Sequence, residues 1–262
     1  MSQSPEKFCK ARIVARRDLS PDLWTVRIAP EAPLSFVAGQ YATLSVVENG
    51  RRIERAYSIV SSPYESELEF FVELVPQGEL TPLLYQLCHG ETVEMRKAIK
   101  GRFTLDLSSG RPRHLMLATV TGIAPYVSYV RTLYRDWKQG KMPAGVEVFI
   151  LHGASRSWEF GYREEFERTA AEVPWLQYVP AVSRPWEDEE WRGETGRVVD
   201  LLRKYADQWG CAPGATSVYL CGHPDMIGAG IGILHRRGFP KDSMQQEVYW
   251  VPPKERPEAE GT

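Results

Sequence analysis

Cysteine is scarce in this sequence, and the spacing of the few that occur excludes several classes of metal protein. They are spread along 262 residues, at Cys9, Cys88, Cys211 and Cys221. No pair has the C-x-x-C spacing that zinc and iron–sulfur sites use. We therefore expect no metal site, and we interpret the cysteines as small thiols in a reducing compartment.

Charge of one sign and long apolar runs are also missing. The 32 lysine and arginine residues nearly balance the 34 acidic residues, for a net charge of −2, so no overall field attracts nucleic acid or a membrane surface. The longest apolar runs have the length of a strand rather than of a membrane span, and the first residues lack the apolar core of a secretion signal. We expect a cytoplasmic, monomeric protein that binds neither nucleic acid nor membrane.

Apolar residues, in contrast, make up 43% of the chain, which is enough to build two domains. The first hundred residues alternate short apolar segments with turn residues, a pattern typical of β-strands. These segments are KARIVARR, LWTVRIA, YATLSVV, RAYSIV, LEFFVELV and ETVEMR. Six short strands, interrupted by one helix-like stretch (LTPLLYQL), predict a small antiparallel six-stranded β-barrel over residues 1–109.

The pattern changes after Ser109. The strand-like segments are now LMLAT, VEVFILH, LQYVPAVS and SVYLCG, and helical periodicity separates them in PYVSYVRTLYRDW, YREEFERTAAEV and RVVDLLRKYADQW. Alternating strands and helices predict an α/β domain with a parallel sheet over residues 110–251, and ligands bind at the carboxyl ends of such strands. Residues 252–262 are polar and proline-rich, which predicts a disordered tail.

Four short motifs give this two-domain pattern a resemblance to a known family. They are RAYS (55–58), TVTGIAP (119–125), CGHPDM (221–226) and EVYW (247–250). In this order, on a barrel followed by a nucleotide-type sheet, they resemble the ferredoxin–NADP reductase family, and most of all the compact bacterial ferredoxin or flavodoxin reductases. The resemblance implies FAD on the barrel and NADP(H) on the second domain.

The motif RAYS carries the flavin side of the resemblance. Alternation along a strand places Arg55 and Tyr57 on one face and Ala56 and Ser58 on the other. In the family, the arginine holds the FAD pyrophosphate, the tyrosine stacks on the flavin ring and the serine lies near flavin N5. The resemblance therefore makes these four residues part of the cofactor site, with Tyr57 and Ser58 also at the reacting ring.

Two further segments complete the flavin site that the resemblance implies. Glu79, Leu80 and Thr81 would lie against the FAD phosphates, with Thr81 as the N-cap of the helix that follows. Tyr249 and Trp250 would cover the flavin or its adenine. This chain continues for twelve residues beyond Trp250, so the aromatic pair is not terminal as it is in compact family members.

On the nicotinamide side, a hydroxyl and guanidinium groups suit the 2′-phosphate of NADP, whereas NAD sites use a carboxylate to hold the ribose diol. By resemblance, Ser183 and Arg184 read this phosphate with help from Arg197, and Arg156 stands one position beyond a further family arginine. The family also places the residues corresponding to Cys221 and Gly222 beside the nicotinamide, Cys221 among the catalytic groups. We therefore expect NADP(H) rather than NAD(H).

The turn at 119–125 raises a question because the family usually has glycine where this chain has Val120. By resemblance, Thr121 and Gly122 serve the pyrophosphate and nicotinamide, and Thr121 also touches the flavin. The position requires either a positive φ, which strains valine, or close approach to the ligand, which the valine methyls obstruct. A third alternative is a relaxed turn with the valine packed beneath the strand. We expect a working but impaired site.

The resemblance implies an FAD-dependent enzyme that moves electrons between NADPH and a one-electron carrier, ferredoxin or flavodoxin, by hydride transfer to flavin N5. The carrier is a separate chain, because the cysteine pattern excludes a fused plant-type cluster. Basic residues near the flavin edge of the barrel are either a docking surface for an acidic carrier or a solvated face: Arg51, Arg52, Lys97, Lys100 and Arg102. The alternatives are an NADH-dependent reductase module for an oxygenase or other acceptor, and a flavin-carrying electron-transfer subunit without hydride chemistry.

Overall fold

A computed structural model describes residues 7–249, which form two six-stranded sheets, one antiparallel and one parallel. This arrangement confirms the expected fold class of a β-barrel followed by an α/β domain. The boundary predicted near Ser109 falls in the connection between the sheets and stays a prediction. Trp250 and the tail at 252–262 lie outside the described residues. Among residues 7–249, no helix combines the length and the apolar character that crossing a membrane requires.

The antiparallel sheet has the strand order β4-β3-β6-β1-β2-β5. Just beyond β4, the Val60 N–H donates to Glu69 O of β5 at 2.8 Å, so the two edges of this half-barrel meet at one end. Its core is filled by Trp24, Leu44 and Phe70. The elements are β1 (Phe8–Asp18), β2 (Leu23–Pro30), β3 (Tyr41–Glu48), β4 (Arg51–Ser58), β5 (Leu68–Glu73), α1 (Thr81–Gln86) and β6 (Thr92–Arg96).

Strand β4 starts four residues earlier than the sequence pattern indicated. Asn49 and Gly50 have φ of 50° and 76°, the conformation of a tight two-residue hairpin turn. This turn pairs Glu48 with Arg51, so β4 begins directly after it. The strand ends at Ser58, and the polar character of its first residues had hidden them from the pattern.

The parallel sheet has the order β10-β9-β8-β7-β11-β12. Its first strand in the chain, β7, lies in the middle, so the winding direction reverses between β7 and β11. In such sheets ligands bind outside the carboxyl ends of the strands at this reversal. The elements are β7 (Arg113–Thr119), α2 (Ala124–Lys138), β8 (Glu147–Ala154), α3 (Arg163–Glu172), β9 (Leu176–Val182), β10 (Glu194–Thr195), α4 (Val198–Gln208), β11 (Thr216–Gly222), α5 (Pro224–Arg236) and β12 (Met244–Val248).

Helix α5 was not expected from the sequence pattern. Gly228, Gly230 and Gly232 lower its intrinsic helix propensity, and they interrupt the apolar period. One of them has a packing reason, because a Cβ on Gly230 would lie 2.6 Å from a methyl of Leu220. The helix therefore forms through close packing on β11 rather than through propensity.

Helix α2 joins the two sheets. The Ser128 hydroxyl donates to Ser61 O at 2.7 Å, and the Tyr129 hydroxyl donates to the carbonyl of Phe103. Arg131 forms ion pairs with Glu69 of β5 and with Glu165 of α3, each at 2.7 Å. The side chain of Glu69 is only 9% exposed, so this pair is shielded from water and locks the helix to the barrel.

Replacing Arg131 with methionine should lower the free energy of unfolding by about 3 kcal/mol, because Glu69 is left buried without its main cation. The matched control is Arg135→Met, one turn further along α2, where the arginine is exposed and its loss should cost less than about 1 kcal/mol. Urea denaturation of both variants measures the difference. Equal, small losses would show that the pair does not hold the interface.

Candidate functional site

A cleft of about 460 Å³ opens at the carboxyl ends of the parallel strands, a size typical of small-molecule sites. Its walls come from the ends of β7, β8, β9 and β11 and from the first residues of α4 and α5. The barrel contributes Glu73 at the end of β5. Of the residues predicted from sequence, it brings together Val120, Thr121, Ser183, Arg197, Gly222 and Tyr249.

The turns that follow β7 and β11 are locked together at this cleft. The Thr119 hydroxyl accepts a hydrogen bond from the His223 N–H at 2.8 Å. A Cβ on Gly122 would lie 2.4 Å from Cys221 O, and one on Gly222, whose φ is +123°, would lie 2.3 Å from the Thr119 hydroxyl. Glycine is therefore required at both positions by the approach of one turn to the other.

Val120 has a φ of +42°, in the left-handed region that β-branched residues avoid. This observation matches the alternative of a positive φ and excludes a relaxed turn. The strain amounts to about 1–2 kcal/mol. The side chain also packs between two apolar clusters that include Ile123 and Phe160, and this packing offsets part of the strain.

The buried His152 contacts Val120, the residue with the strained backbone. His152 Nε2 lies 3.0 Å from Val120 O, and its Nδ1 lies 3.0 Å from the Tyr178 hydroxyl. Phe160 packs edge-on against the imidazole ring. The ring is fully buried, and burial lowers the pKa of His152 to about 4. From the sequence, no role was assigned to this histidine.

Strand β4 brings the RAYS residues to the rim of the barrel. Arg55 is half exposed and donates to Glu54 O at 2.7 Å. Tyr57 is half-buried, with its ring edge-on to Phe70, while Ala56 is exposed and Ser58 is buried. On β3, the inward-facing Leu44 and Ala42 lie two positions apart, and they pair with Arg55 and Tyr57. Arg55 and Tyr57 therefore share one face of β4, as the alternation predicted.

The ends of β4, β11 and β12 meet at Ser58, Cys221 and Glu247. The Ser58 hydroxyl donates to Glu247 Oε1 at 2.7 Å, and Glu247 is the register partner of Cys221. Burial raises the pKa of the Glu247 carboxyl and that of the Cys221 thiol. Glu247 was missed because the EVYW motif had been weighed for its aromatic residues alone.

The segment at 79–81 differs in part from the expectation. Helix α1 begins at Thr81, and its N-cap position is Leu80. Thr81 is therefore not the capping residue, because its hydroxyl instead accepts from Val75 N at 2.9 Å and donates to Val75 O. The Leu80 side chain is buried in the barrel core. Glu79 bridges Arg51 and Arg55, each at 2.8 Å, and these arginines lower its pKa.

Two arginines and a carboxylate lie next to Ser155 and Ser183, which line the cleft. The Arg184 N–H donates to Ser155 O at 3.0 Å, and its half-exposed guanidinium lies 3.7 Å from Glu187. Arg156 pairs with Glu187 as well as with Glu159, and these hydrogen bonds raise its pKa. Glu187 had not been considered from the sequence, although it stands in the acidic run directly after Arg184.

Within residues 7–249, no group of three or more histidine, cysteine or acidic side chains is arranged to hold a metal ion.

Two family models match the chain. One is described as an oxidoreductase FAD-binding domain and covers residues 10–104. The other is described as an oxidoreductase NAD-binding domain and covers residues 116–230. These ranges correspond to the antiparallel half-barrel and to most of the parallel sheet.

Several curated proteins are similar over most of the chain. Ferredoxin–NADP reductase A of Sorangium cellulosum is 33% identical over 233 residues, covering 83% of this chain and 79% of the relative. The reductase component DmpP of phenol 2-monooxygenase from a Pseudomonas strain is 31% identical over 248 residues, covering 94% of this chain and 67% of the relative. A solved ferredoxin NADP+ reductase from Neisseria gonorrhoeae, with bound FAD and NADP, has the same fold: its TM-score is 0.81 at 23% identity, covering 94% of this chain and all of the other.

The buried His152 should make folding stability depend on pH. The pKa of His152 in the folded protein, about 4, lies below the usual 6.5. Between pH 4 and pH 6.5 this histidine is therefore protonated in the unfolded chain and neutral in the folded one. Stability is therefore complete above pH 6.5 and falls as the pH drops towards 4, by about 3 kcal/mol for this group. In urea denaturation, the His152→Gln variant should lose less stability over this window than the wild type. Identical pH slopes would contradict a buried neutral imidazole.

Proposed function

The chain belongs to the ferredoxin–NADP reductase family, and from that premise we propose that it is an FAD-dependent oxidoreductase that moves electrons between NADPH and a separate one-electron carrier. The observation that supports this most is the convergence of Ser58, Cys221 and Glu247 beside the cleft. It joins a strand of the barrel to the strand ends of the parallel sheet, so that a ring held by one half would face a ring held by the other.

The residues of β4 fit a flavin. Arg55 already takes an anionic partner, the Glu79 carboxylate, so the position accommodates negative charge and suits a diphosphate. Tyr57 offers a ring face at the barrel rim beside the exposed Ala56. Glu79 and the backbone at Leu80 and Thr81 border the same position. Glu79 has to give way when a diphosphate pairs with Arg55.

The cleft fits a dinucleotide in the same way. It lies at the reversal of a parallel sheet, where nucleotides bind in folds of this kind. Thr121 and Gly222 line its inner end, while Ser183 and Arg197 line the other, and Arg184 lies directly after Ser183. When bound, the flavin accepts a hydride from the nicotinamide and releases electrons singly to a carrier.

The residues of this chain position the two rings, and Glu247 can carry a proton beside them. The Ser58 hydroxyl donates a hydrogen bond to Glu247. This bond fixes the orientation of the hydroxyl and directs its lone pairs away from the Glu247 side chain. Glu247 holds a proton at higher pH than an exposed glutamate does, because burial raises its pKa. Tyr249 lines the cleft on the same side. The interlocked turns at Gly122 and Gly222 keep the cleft wall rigid, which the alignment of reacting atoms demands.

The partner we propose is an acidic electron carrier, ferredoxin or flavodoxin, docking near the flavin edge of the barrel. Two of the five basic residues named from the sequence are already neutralised, since Arg51 pairs with Glu79 and Arg52 with Glu94. In the part of the chain that the structure describes, Lys97, Lys100 and Arg102 form no such pair. These three residues are the stronger candidates for electrostatic steering of the carrier.

Glu187 favours the alternative of an NADH-dependent reductase module. Its carboxylate pairs with Arg156 and approaches Arg184, so it competes with a 2′-phosphate for both arginines and resembles the carboxylate that holds a ribose diol in NAD sites. Similarity to a phenol monooxygenase reductase component supports the same alternative.

We expect the purified protein to carry non-covalent FAD and to be bleached anaerobically by NADPH. Tyr57→Ala should weaken FAD binding about tenfold, because a stacking surface worth about 1–1.5 kcal/mol is lost. Flavin fluorescence titration measures this, with the exposed Tyr64→Ala as the matched control that leaves FAD binding unchanged. A colourless protein that also refuses added FAD would falsify the proposal. Protein that binds FAD but is reduced by neither nucleotide supports an electron-transfer subunit without hydride chemistry.

Arg184 and Glu187 should act on nucleotide choice in opposite directions. Arg184→Ala should raise the KM for NADPH about ten- to a hundredfold and leave that for NADH nearly unchanged, since a charge-assisted contact is worth about 1.5–3 kcal/mol. Glu187→Gln should lower the KM for NADPH about three- to tenfold. Steady-state kinetics with both nucleotides measures the effects. A wild type that prefers NADH, with Arg184→Ala affecting both nucleotides equally, would instead support the oxygenase-reductase alternative.

A further inference from the structure

We propose that His152 is a positioning residue that holds the Val120 turn in its left-handed conformation and thereby keeps the nicotinamide nucleotide aligned for hydride transfer. The inference rests on the proposed function, because it concerns the turn that we place against the dinucleotide. His152 does not line the cleft. It acts through the Val120 carbonyl.

The hydrogen bonds fix which ring nitrogen carries the proton. Val120 O can only accept, so Nε2 of His152 must donate to it across 3.0 Å. In the neutral ring, Nδ1 then accepts from the Tyr178 hydroxyl at 3.0 Å. Both ring nitrogens are satisfied, and the imidazole is clamped between these two partners.

The clamp is rigid on all sides. His152 belongs to β8, at the centre of the parallel sheet, and Phe160 packs edge-on against its ring at a centroid distance of 4.9 Å. Tyr178 in turn stacks on Phe166, with a centroid distance of 4.8 Å and an angle of 12° between the rings. The donor that reaches Val120 therefore has little freedom to follow the turn if the turn moves.

The turn needs such a support because of the residue it contains. A valine with φ at +42° favours a return to negative φ, and this rotation would swing its carbonyl away from Nε2 and shift Thr121 in the cleft wall. The hydrogen bond opposes the rotation, because a buried imidazole N–H would lose its only acceptor. Glycine at the same position adopts positive φ without strain, and it would need no support.

This difference predicts a specific coupling between the two residues. His152→Leu removes the donor at similar volume, and His152→Gln keeps a side-chain N–H at similar reach. In the wild-type background, His152→Leu should slow anaerobic flavin reduction by NADPH about tenfold, and His152→Gln should restore most of the rate. In the Val120→Gly background, His152→Leu should cost twofold or less. The dissociation constant for FAD should stay the same in every variant.

His114→Leu is the matched control. His114 is also fully buried in this sheet, with a pKa that burial lowers to about 4, but it contacts Tyr219 near the opposite end of β7. Its replacement should leave the reduction rate unchanged. The same tenfold loss from His152→Leu in both the valine and the glycine backgrounds would overturn the proposal, as would a His152→Gln variant as slow as His152→Leu.

A second measurement requires neither variants nor turnover. In nitrogen-15 NMR of the wild-type protein labelled at histidine, His152 should be neutral at pH 7 with its proton on Nε2, and a proton on Nδ1 would overturn the proposal. If neither NADPH nor NADH reduces the flavin, the proposed function fails, whereas the tautomer still tests the contact with Val120. A normal rate of reduction together with the wrong tautomer would remove this inference and leave the function intact.

Discussion

The buried ion pair between Arg131 and Glu69 is the interaction on which the geometry of the site depends. Helix α2 carries Arg131, and the same helix begins directly after the strained turn at Val120–Ile123. One rigid element therefore links the wall of the nucleotide cleft to β5 of the barrel. Tyr129 and Ser128 add hydrogen bonds to barrel carbonyls along the same face. A family that transfers hydride between two separately held rings needs such a link, because small misplacements reduce the rate steeply.

Most strands and helices of residues 7–249 could be predicted from the sequence because their apolar periods are regular, but β10 and β12, at the two edges of the parallel sheet, were not predicted. Helix α5 could not be predicted, since its three glycines lower helix propensity and only Gly230 has a packing reason, its close approach to Leu220, which leaves no periodic signal in the sequence. The sequence predicted the RAYS strand except for its first four residues, and six of the predicted site residues line the cleft, but the groups they contact could not be predicted. Glu247 lies 189 positions from Ser58 and Glu79 lies 24 positions from Arg55, while Glu187 is near Arg184 in sequence but far from Arg156. Only the fold brings these carboxylates to the serine and the arginines.

The two proposed phosphate positions share an electrostatic design. At each, one glutamate contacts two arginines: Glu79 bridges Arg51 and Arg55 in the barrel, and Glu187 lies with Arg156 and Arg184 beside the cleft. The protein without ligands thus balances its own cations at both positions. A phosphate bound at either proposed position would replace one anion with another, so the internal carboxylate would affect affinity together with the arginines.

The left-handed Val120 also constrains how this protein can change over generations. Valine and glycine codons differ at a single base, so the unstrained turn is one mutational step away. The proposed role of His152 determines the order in which substitutions at positions 120 and 152 are tolerated. While valine occupies the turn, substitution of His152 is disfavoured. Once glycine has replaced the valine, an ordinary apolar residue can replace the buried histidine. On the proposed coupling, the two positions change in a preferred order, and a return from glycine to valine is disfavoured after the histidine has been lost.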